Sequence, residues 1–528
     1  MHKLRLPILL AAVFAAFSLL AGAAPQLDYD VEAPMDEKTE GFEQRAVHKN
    51  TTSVYSDTLQ GGGTAEDPFV IAHASDLLYL SEQVNAGNEP YGSAYYVQSA
   101  DIDLTGSAYT PIGTQAHPFS GSYDGANYRI LYIDAVYEGD LFGVFGYALA
   151  ADFRNMDIYM EADVTYKNLF DTAEDKNASL YAGILCGVYQ VAKDCNSTVS
   201  GCRTDGKLTA TNTKRTVHAA GFFGLLSATT IYYGDVLVID CESAADITAN
   251  ARSSPYAAGI AARAETQGRG RLGFERCFVS GSVVAHGYST ESYSACAGGV
   301  AGCLYIDESD WSVWSELSDG SDETDTEETD TPSKVDTNRI KTALKNCVVA
   351  SETLHAYLSK QHSQSTAYVD WLAASISENI TIVNNYCLKN DTIVCNGGNL
   401  AVTEIETKEQ LYSADFLSGT LSYDLNGMWN LTPGESLSLR FDGTRIWAYR
   451  DGSQLVLLPI GGSTGSFVLS YCDQTWRPLA FDVVAVNAEN NRYTAAIPPF
   501  DGTTLSLTVL WLDQNGLRPL ADACRLSL

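Results

Sequence analysis

From Phe69 onward the apolar residues come in short blocks bracketed by Gly, Asp, Asn or Pro, the rhythm of short strands rather than of helices. One stretch departs from it. Ser75 reads as an N-cap, Asp76 falls in the first turn, Leu77, Leu80 and Val84 share a face, and Gly87 supplies the stop. This predicts a short helix covering the open end of a β-structure, where an uncovered sheet edge would invite aggregation. Strand-like runs follow at Tyr95–Leu104, Phe119–Gly125 and Tyr128–Ile130, with Asp124-Gly125 as a turn signal.

The blocks then repeat. Leu141–Gly146, Ala182–Gly187, Ala219–Gly224, Ala257–Ala262 and Ala297–Gly302 are similar Gly/Ala-rich apolar hexamers whose first positions are 41, 37, 38 and 40 residues apart. A degenerate copy lies near Asp370–Ser375. Each block precedes a second strand-like unit, usually with a cysteine: Cys195, Cys241, Cys277, Cys347 and Cys387. Two short strands per repeat of about 40 residues are the mark of a solenoid. Five thiols at one repeat position are expected to stack inside it as small apolar groups, a reading preferred to any redox or metal role.

Two segments break the repeat. Residues 306–338 carry Asp307, Glu308, Asp310, Asp319, Asp322, Glu323, Asp325, Glu327, Glu328 and Asp330 among Ser and Thr. Such a run repels itself and is expected to be a disordered loop, with Trp311 and Trp314 as contact residues or as pins at its root. Around Thr407–Leu417 a second short helix leads to Trp429, and residues 401–435 are expected to cap the solenoid's end. Beyond Ser436 separated strands are predicted at 446–449, 455–460, 467–471, 481–486, 493–497 and 505–512. They imply a small, immunoglobulin-like β-sandwich over 436–528. Its cysteines, Cys472 and Cys524, could form a disulfide, but the sequence does not fix their distance.

Composition supports the β class, with 30 Tyr, 43 Gly and few Met. The net charge of −32 excludes the basic footprint of a nucleic-acid binder and disfavours anionic lipid. The N-terminus reads as a signal peptide over 1–23: basic His2, Lys3 and Arg5, an apolar run from Leu6 to Leu20, then Ala21-Gly22-Ala23. An uncleaved anchor is the alternative, and no later segment is apolar enough to span a bilayer. Residues 24–58 are polar and acidic, a disordered linker before a repeat domain over 59–400.

The run Gly62-Gly63-Thr64, Asp67-Pro68, Asp101-Ile102-Asp103-Leu104, Pro111-Ile112-Gly113, Phe119-x-Gly121-x-Tyr123-Asp124-Gly125 and Leu141-Phe142-Gly143 resembles bacterial surface proteins carrying the GLUG motif. The resemblance covers about residues 61–146. It implies a right-handed parallel β-helix on a secreted or surface-exposed bacterial protein of adhesion-like or unassigned role.

No catalytic, ligand-binding or metal residue is assigned from the sequence, and no cofactor is implied. Gly461-Gly462-Ser463-Thr464-Gly465 fits G-x-S-x-G, yet strands on both sides of it predict a hairpin rather than a nucleophile elbow. Arg339-Ile340-Lys341 and His286-Gly287 resemble fragments of galacturonan hydrolase motifs, but the paired acids such chemistry needs are missing. Asp101 and Asp103 share a strand face and are read as binding nearby backbone. The expectation is a secreted or surface binding protein, with glycans or surface proteins as partners. A polysaccharide lyase or hydrolase and a structural envelope component are the alternatives.

Overall fold

The computed structural model describes residues 58–527 apart from 168–177, 193–194, 290–291, 308–341, 360–365, 377–379, 398–399, 426–427, 440–444, 452–453, 461–464, 473–477, 487–492, 499–505 and 514–523. The expected signal peptide and nearly all of the linker lie outside the described residues. So do nearly all of the acidic insertion, with Trp311 and Trp314, the Arg339–Lys341 triplet and Ser463.

From Phe69 to Ile405 the chain winds through three sheets in which every named pairing is parallel. One coil runs from Thr216–Ala220 in the second sheet to Phe223–Ile239 in the first. It continues through Glu242–Ser243 and Asp246–Ala251 in the third, then returns to Pro255–Ala258 in the second. Phe145, Cys186, Phe223, Ala261 and Ala301 are successive Cα partners. Their numbers differ by 41, 37, 38 and 40, the spacing of the sequence blocks. Ala301 then pairs with Ala373, a longer step in sequence that contains the insertion. The protein is an all-β solenoid with one continuous core, from Phe69 and Leu77 to Leu372 and Cys387.

A left-handed residue makes the turn between the first and third sheets in six successive coils: Asn155, Gly201, Asp240, Arg276, Asn346 and Asn384, all with φ between 51° and 61°. Asn, Asp and Gly tolerate this backbone, whereas Arg276 bears a cost. The next residue points inward and forms the column Met156, Cys202, Cys241, Cys277, Cys347 and Asn385. The four thiols are fully buried and lean on backbone carbonyls, as from Cys241 Sγ to Ile239 O at 3.4 Å. The expected ladder therefore exists with two members exchanged. Cys195 opens a strand of the first sheet opposite Gly234, and Cys387 sits two residues beyond the column position Asn385, opposite Val349. Cys202 and Asn385 take their places because the left-handed turn sets the register. Asn385 closes the column, accepting from Cys347 N at 2.8 Å and donating to Leu344 O at 2.8 Å.

The N-terminal end is closed by the helix Ala74–Asn85, which buries Leu77, Leu80 and Val84 as expected and stops at Gly87, φ +72°. Its N-cap is His73, not Ser75. Asp76 reaches back to accept from Ala72 N and His73 N, both at 3.0 Å. Asn85 stitches the helix to the first coils through Pro111 O and Gly113 N.

The opposite end is closed by residues 390–405. Asn396 pairs with the edge strand Thr366–Asp370 through Val369 N and Ala367 O, while Ile393, Leu400 and Val402 pack on the core. The segment expected to be the cap does something else. From Lys408 to Leu439 it folds back along the solenoid's side as a strap, with its own apolar cluster of Leu411, Tyr412, Leu417, Leu421, Tyr423, Trp429, Leu437 and Leu439 packed on Phe278, Val348 and Ala350. Tyr423 OH donates to Asn346 O at 3.2 Å, and Trp429 Nε1 to Asp240 Oδ1 at 3.2 Å.

Beyond the strap the predicted strands all appear, in two antiparallel sheets. One orders Arg445–Asp451, Gln454–Ile460 and Tyr493–Ala496. The other orders Pro478–Val486, Gly465–Cys472, Ser506–Asp513 and Cys524–Ser527. Leu455, Leu457, Tyr493 and Ala495 from the first meet Phe467, Leu469, Tyr471, Leu507 and Val509 from the second in one core. Gln454–Ile460 and Gly465–Cys472 belong to different sheets, so these two strands do not pair as the expected hairpin. Cys472 is a free thiol facing Ser506, whereas Cys524 faces Val509. Two strands and three residues separate them, more than about 10 Å and too far for a disulfide.

Candidate functional site

The repeated hexamers bend the chain sharply between the second and first sheets, and the outer surface of that bend is concave. Small residues are required at its bottom. A Cβ on Gly224 would lie 2.7 Å from Ala182 N, and one on Gly187 3.0 Å from Tyr181 O. Ala220, Ala258 and Ala262 pack together at the same depth. The result is a crease running along the solenoid.

One wall of the crease is the outward column Tyr181, His218, Tyr256, Cys296 and Tyr368 of the second sheet. The other is the column Tyr147, Val188, Leu225, Arg263, Cys303 and Ser375 of the first. In each coil the facing residues are seven apart, as in Tyr181 and Val188 or Tyr256 and Arg263. The rings of Tyr181, His218 and Tyr256 stack almost parallel, at 4.7 Å and 10° and at 4.9 Å and 3°. Burial, reinforced by the Arg263 guanidinium, pushes His218 down to about 3, so its imidazole is neutral at ordinary pH. Its Nδ1 has no hydrogen-bond partner among the described residues.

The outer lip is polar. Arg263 Nε donates to Glu265 Oε2 at 2.8 Å, and Ser227 Oγ bonds Glu265 Oε1 at 3.2 Å. The hydroxyl of Tyr147 meets the amide oxygen of Gln190. Burial raises the Tyr256 phenol, which is hydrogen-bonded to Ser294. The crease thus offers ring edges, hydroxyls, an amide and an ion pair in a line. That array can hydrogen-bond and pack against a polyol, and its Glu265 carboxylate is paired with Arg263.

A second charged array lies on the other flank, at the first outward position of the third sheet: Arg129, Asp157, Arg203 and Glu242, followed by Phe278, Val348 and Tyr386. Arg129 Nε binds Asp157 Oδ2 at 2.6 Å, and Arg203 reaches Asp205 at 2.8 Å and Glu242 at 3.4 Å. Burial outweighs the pull of Arg203 and pushes the Glu242 carboxyl up to about 7. A carboxyl poised there would suit acid catalysis, but Leu439 N donates to its Oε2 at 2.6 Å and the side chain is almost wholly buried. Asp240 is held in a two-point pair by Arg276 at 2.7 and 2.8 Å. These acids bind the strap and the turns.

The other residues singled out in the sequence are structural or dispersed. Asp101 Oδ1 accepts from Arg129 N and Asp103 Oδ1 from Thr105 N, both at 2.8 Å. His286 stacks on Tyr357 and bonds Ser359. The ladder thiols Cys241 and Cys277 are pushed well above their ordinary value by burial, so they stay protonated. Among the described residues no group of three or more His, Cys, Asp or Glu is placed to hold a metal ion. Sequence reasoning did not find the crease. The seven-residue pairing of Tyr, His or Cys with a partner across each hexamer is the signal that marks it.

No protein-family model matches the chain, and no curated protein matches it. A solved structure from Bacteroides ovatus, described as a "putative immunoglobulin A1 protease", is similar at 17% identity with a TM-score of 0.41. The alignment covers 72% of this chain and 95% of that one.

Proposed function

We propose that this chain is an exported, non-catalytic glycan-binding protein of adhesion type, displayed at a bacterial surface or secreted. On this reading the solenoid is a right-handed β-helix related to GLUG-motif surface proteins, and the C-terminal sandwich is an immunoglobulin-like spacer. The crease carries the reading. Its walls place aromatic rings, hydroxyls, the Gln190 amide and the Arg263–Glu265 pair at successive coils, about 4.8 Å apart. An extended chain molecule lying along the axis would meet rings at most coils on one wall and a changing set of polar and apolar groups on the other. Aromatic side chains with polar tips give contact area at small entropy cost, which suits sugars with one apolar and one hydroxylated face. The non-enzymatic part of the proposal draws on the sealed state of Asp157, Glu242 and Asp240, which leaves the best acid cluster out of a polysaccharide's reach.

The test is native electrophoresis of the chain from residue 24 through gels containing plant, microbial or mucosal polysaccharides. Retarded migration in at least one gel with intact polysaccharide staining is expected. Cleared tracks would favour the lyase or hydrolase alternative instead.

A further inference from the structure

The third sheet carries a second aromatic ladder, on a different face from the crease. Asn250, His286 and Tyr357 are successive Cα partners on its outer side. The rings of His286 and Tyr357 stack at 4.2 Å and 16°, closer than any ring pair in the crease. His355 stands beside Tyr357 at 5.2 Å and 56°, and Tyr288 beside His286 at 6.1 Å and 66°. His286 Nε2 and Ser359 Oγ are 2.6 Å apart. The strand Leu354–Leu358 is the last in this row among the described residues, so the ladder ends at Tyr357. One face of that ring is covered by His286, and the residue as a whole is 39% exposed.

We propose that the open face of Tyr357, flanked by His355 and by the His286–Ser359 pair, is a second carbohydrate subsite that stacks one neutral pyranose ring. It takes its ligand class from the reading above and adds a separate site to it. The axial C–H groups of a pyranose form a flat apolar patch that fits an aromatic face, while its hydroxyls project sideways toward groups such as His355 and Ser359. A nucleobase would also stack, but its phosphates would meet a chain of net charge −32. The same repulsion disfavours uronate-rich or sulfated glycans. Burial lowers His286, so the imidazole beneath the ring carries no charge at neutral pH to attract an anion. Two sites on one rigid solenoid would let a long polysaccharide bind by avidity.

The experiment titrates the full chain with cello-, manno- and xylohexaose by calorimetry, then with the matching polysaccharide. The wild type is expected to bind two molecules of one hexasaccharide and Tyr357→Ala only one, with polysaccharide affinity falling about tenfold. Tyr357→Phe, which keeps the ring and the stack, is expected to retain both sites and serves as the folding control. If Tyr357→Ala keeps two sites while the paired substitutions Tyr256→Ser and Arg263→Ser remove all binding, the subsite is wrong and the crease stands. If Tyr357→Ala alone abolishes binding, the subsite stands and the crease reading falls. Absence of hexasaccharide and polysaccharide binding by the wild type overturns both.

Discussion

The two outer flanks of the same coils have opposite fates. Both are columns built by repetition, one position per coil. On the turn flank the column changes from alternating charges, Arg129 to Glu242, to the apolar Phe278, Val348 and Tyr386, and the strap packs on that apolar end and binds Glu242. On the crease the column stays mixed, Tyr181 to Tyr368, and on the facing first-sheet wall polar groups pair with one another, Arg263 with Glu265 and Tyr147 with Gln190. A repeated register is thus neutral about use: whichever flank acquires large apolar groups is covered by the chain itself. Among the described residues, the flank that keeps small residues at its base and polar aromatics on its walls takes no part in the strap's apolar cluster.

The sharpest way to break this contrast is to loosen the strap. Trp429 is fully buried between Phe278, Tyr423 and Asp240. Trp429→Ala should cost about 3–5 kcal/mol in chemical denaturation, by loss of burial and of a hydrogen bond. Glycan retention should persist where the protein remains folded. Loss of retention at full folding would tie the crease to the strap and blur the comparison.

The ladder predicts the next largest effect. Cys241→Ser places a hydroxyl in a dry column and should cost about 1–2 kcal/mol, whereas Cys195→Ser, outside the column, should stay within about 0.5 kcal/mol. Equal costs would contradict the register that places Cys202, rather than Cys195, in the stack.

The buried network gives stability a pH dependence of defined sign. Glu242 holds its proton up to about pH 7 when folded, against 4.5 ordinarily. Between these values the folded chain binds a proton that the unfolded chain has released. Stability should therefore rise as pH falls from 7 toward 4.5 and gain nothing more from this group below that. Glu242→Gln should flatten the slope relative to wild type, as read by melting temperature across that window. A slope unchanged by the substitution would mean that the group titrates elsewhere.

Much of the solenoid was legible because a β-helix makes every long-range contact a fixed offset in sequence. The spacings 41, 37, 38 and 40 are the strand register itself. The helix Ala74–Asn85 and all six predicted strands near the C-terminus were legible for a simpler reason, being local patterns of burial. What was missed depends on direction rather than pattern. Cys195 follows the block Ala182–Gly187 as Cys241 follows Ala219–Gly224, but only a left-handed turn aims the following thiol inward. The strap packs on several coils at once, from Asn346, 77 residues before Tyr423, to Glu242, 197 residues before Leu439, and no offset announces that return. The crease needs the bend angle, which a sequence encodes only through the steric demand for Gly or Ala at positions 187, 224, 262 and 302.

The most direct test of the central claim compares the wild-type chain with the paired substitutions Tyr256→Ser and Arg263→Ser in the same polysaccharide gels. Both residues are partly exposed, so the melting temperature should move little. The account predicts that the wild type is retarded without clearing the polysaccharide and that the double variant migrates substantially faster in the same gel. Equal retardation of the two at equal folding would contradict it, and so would free migration of the wild type in every gel.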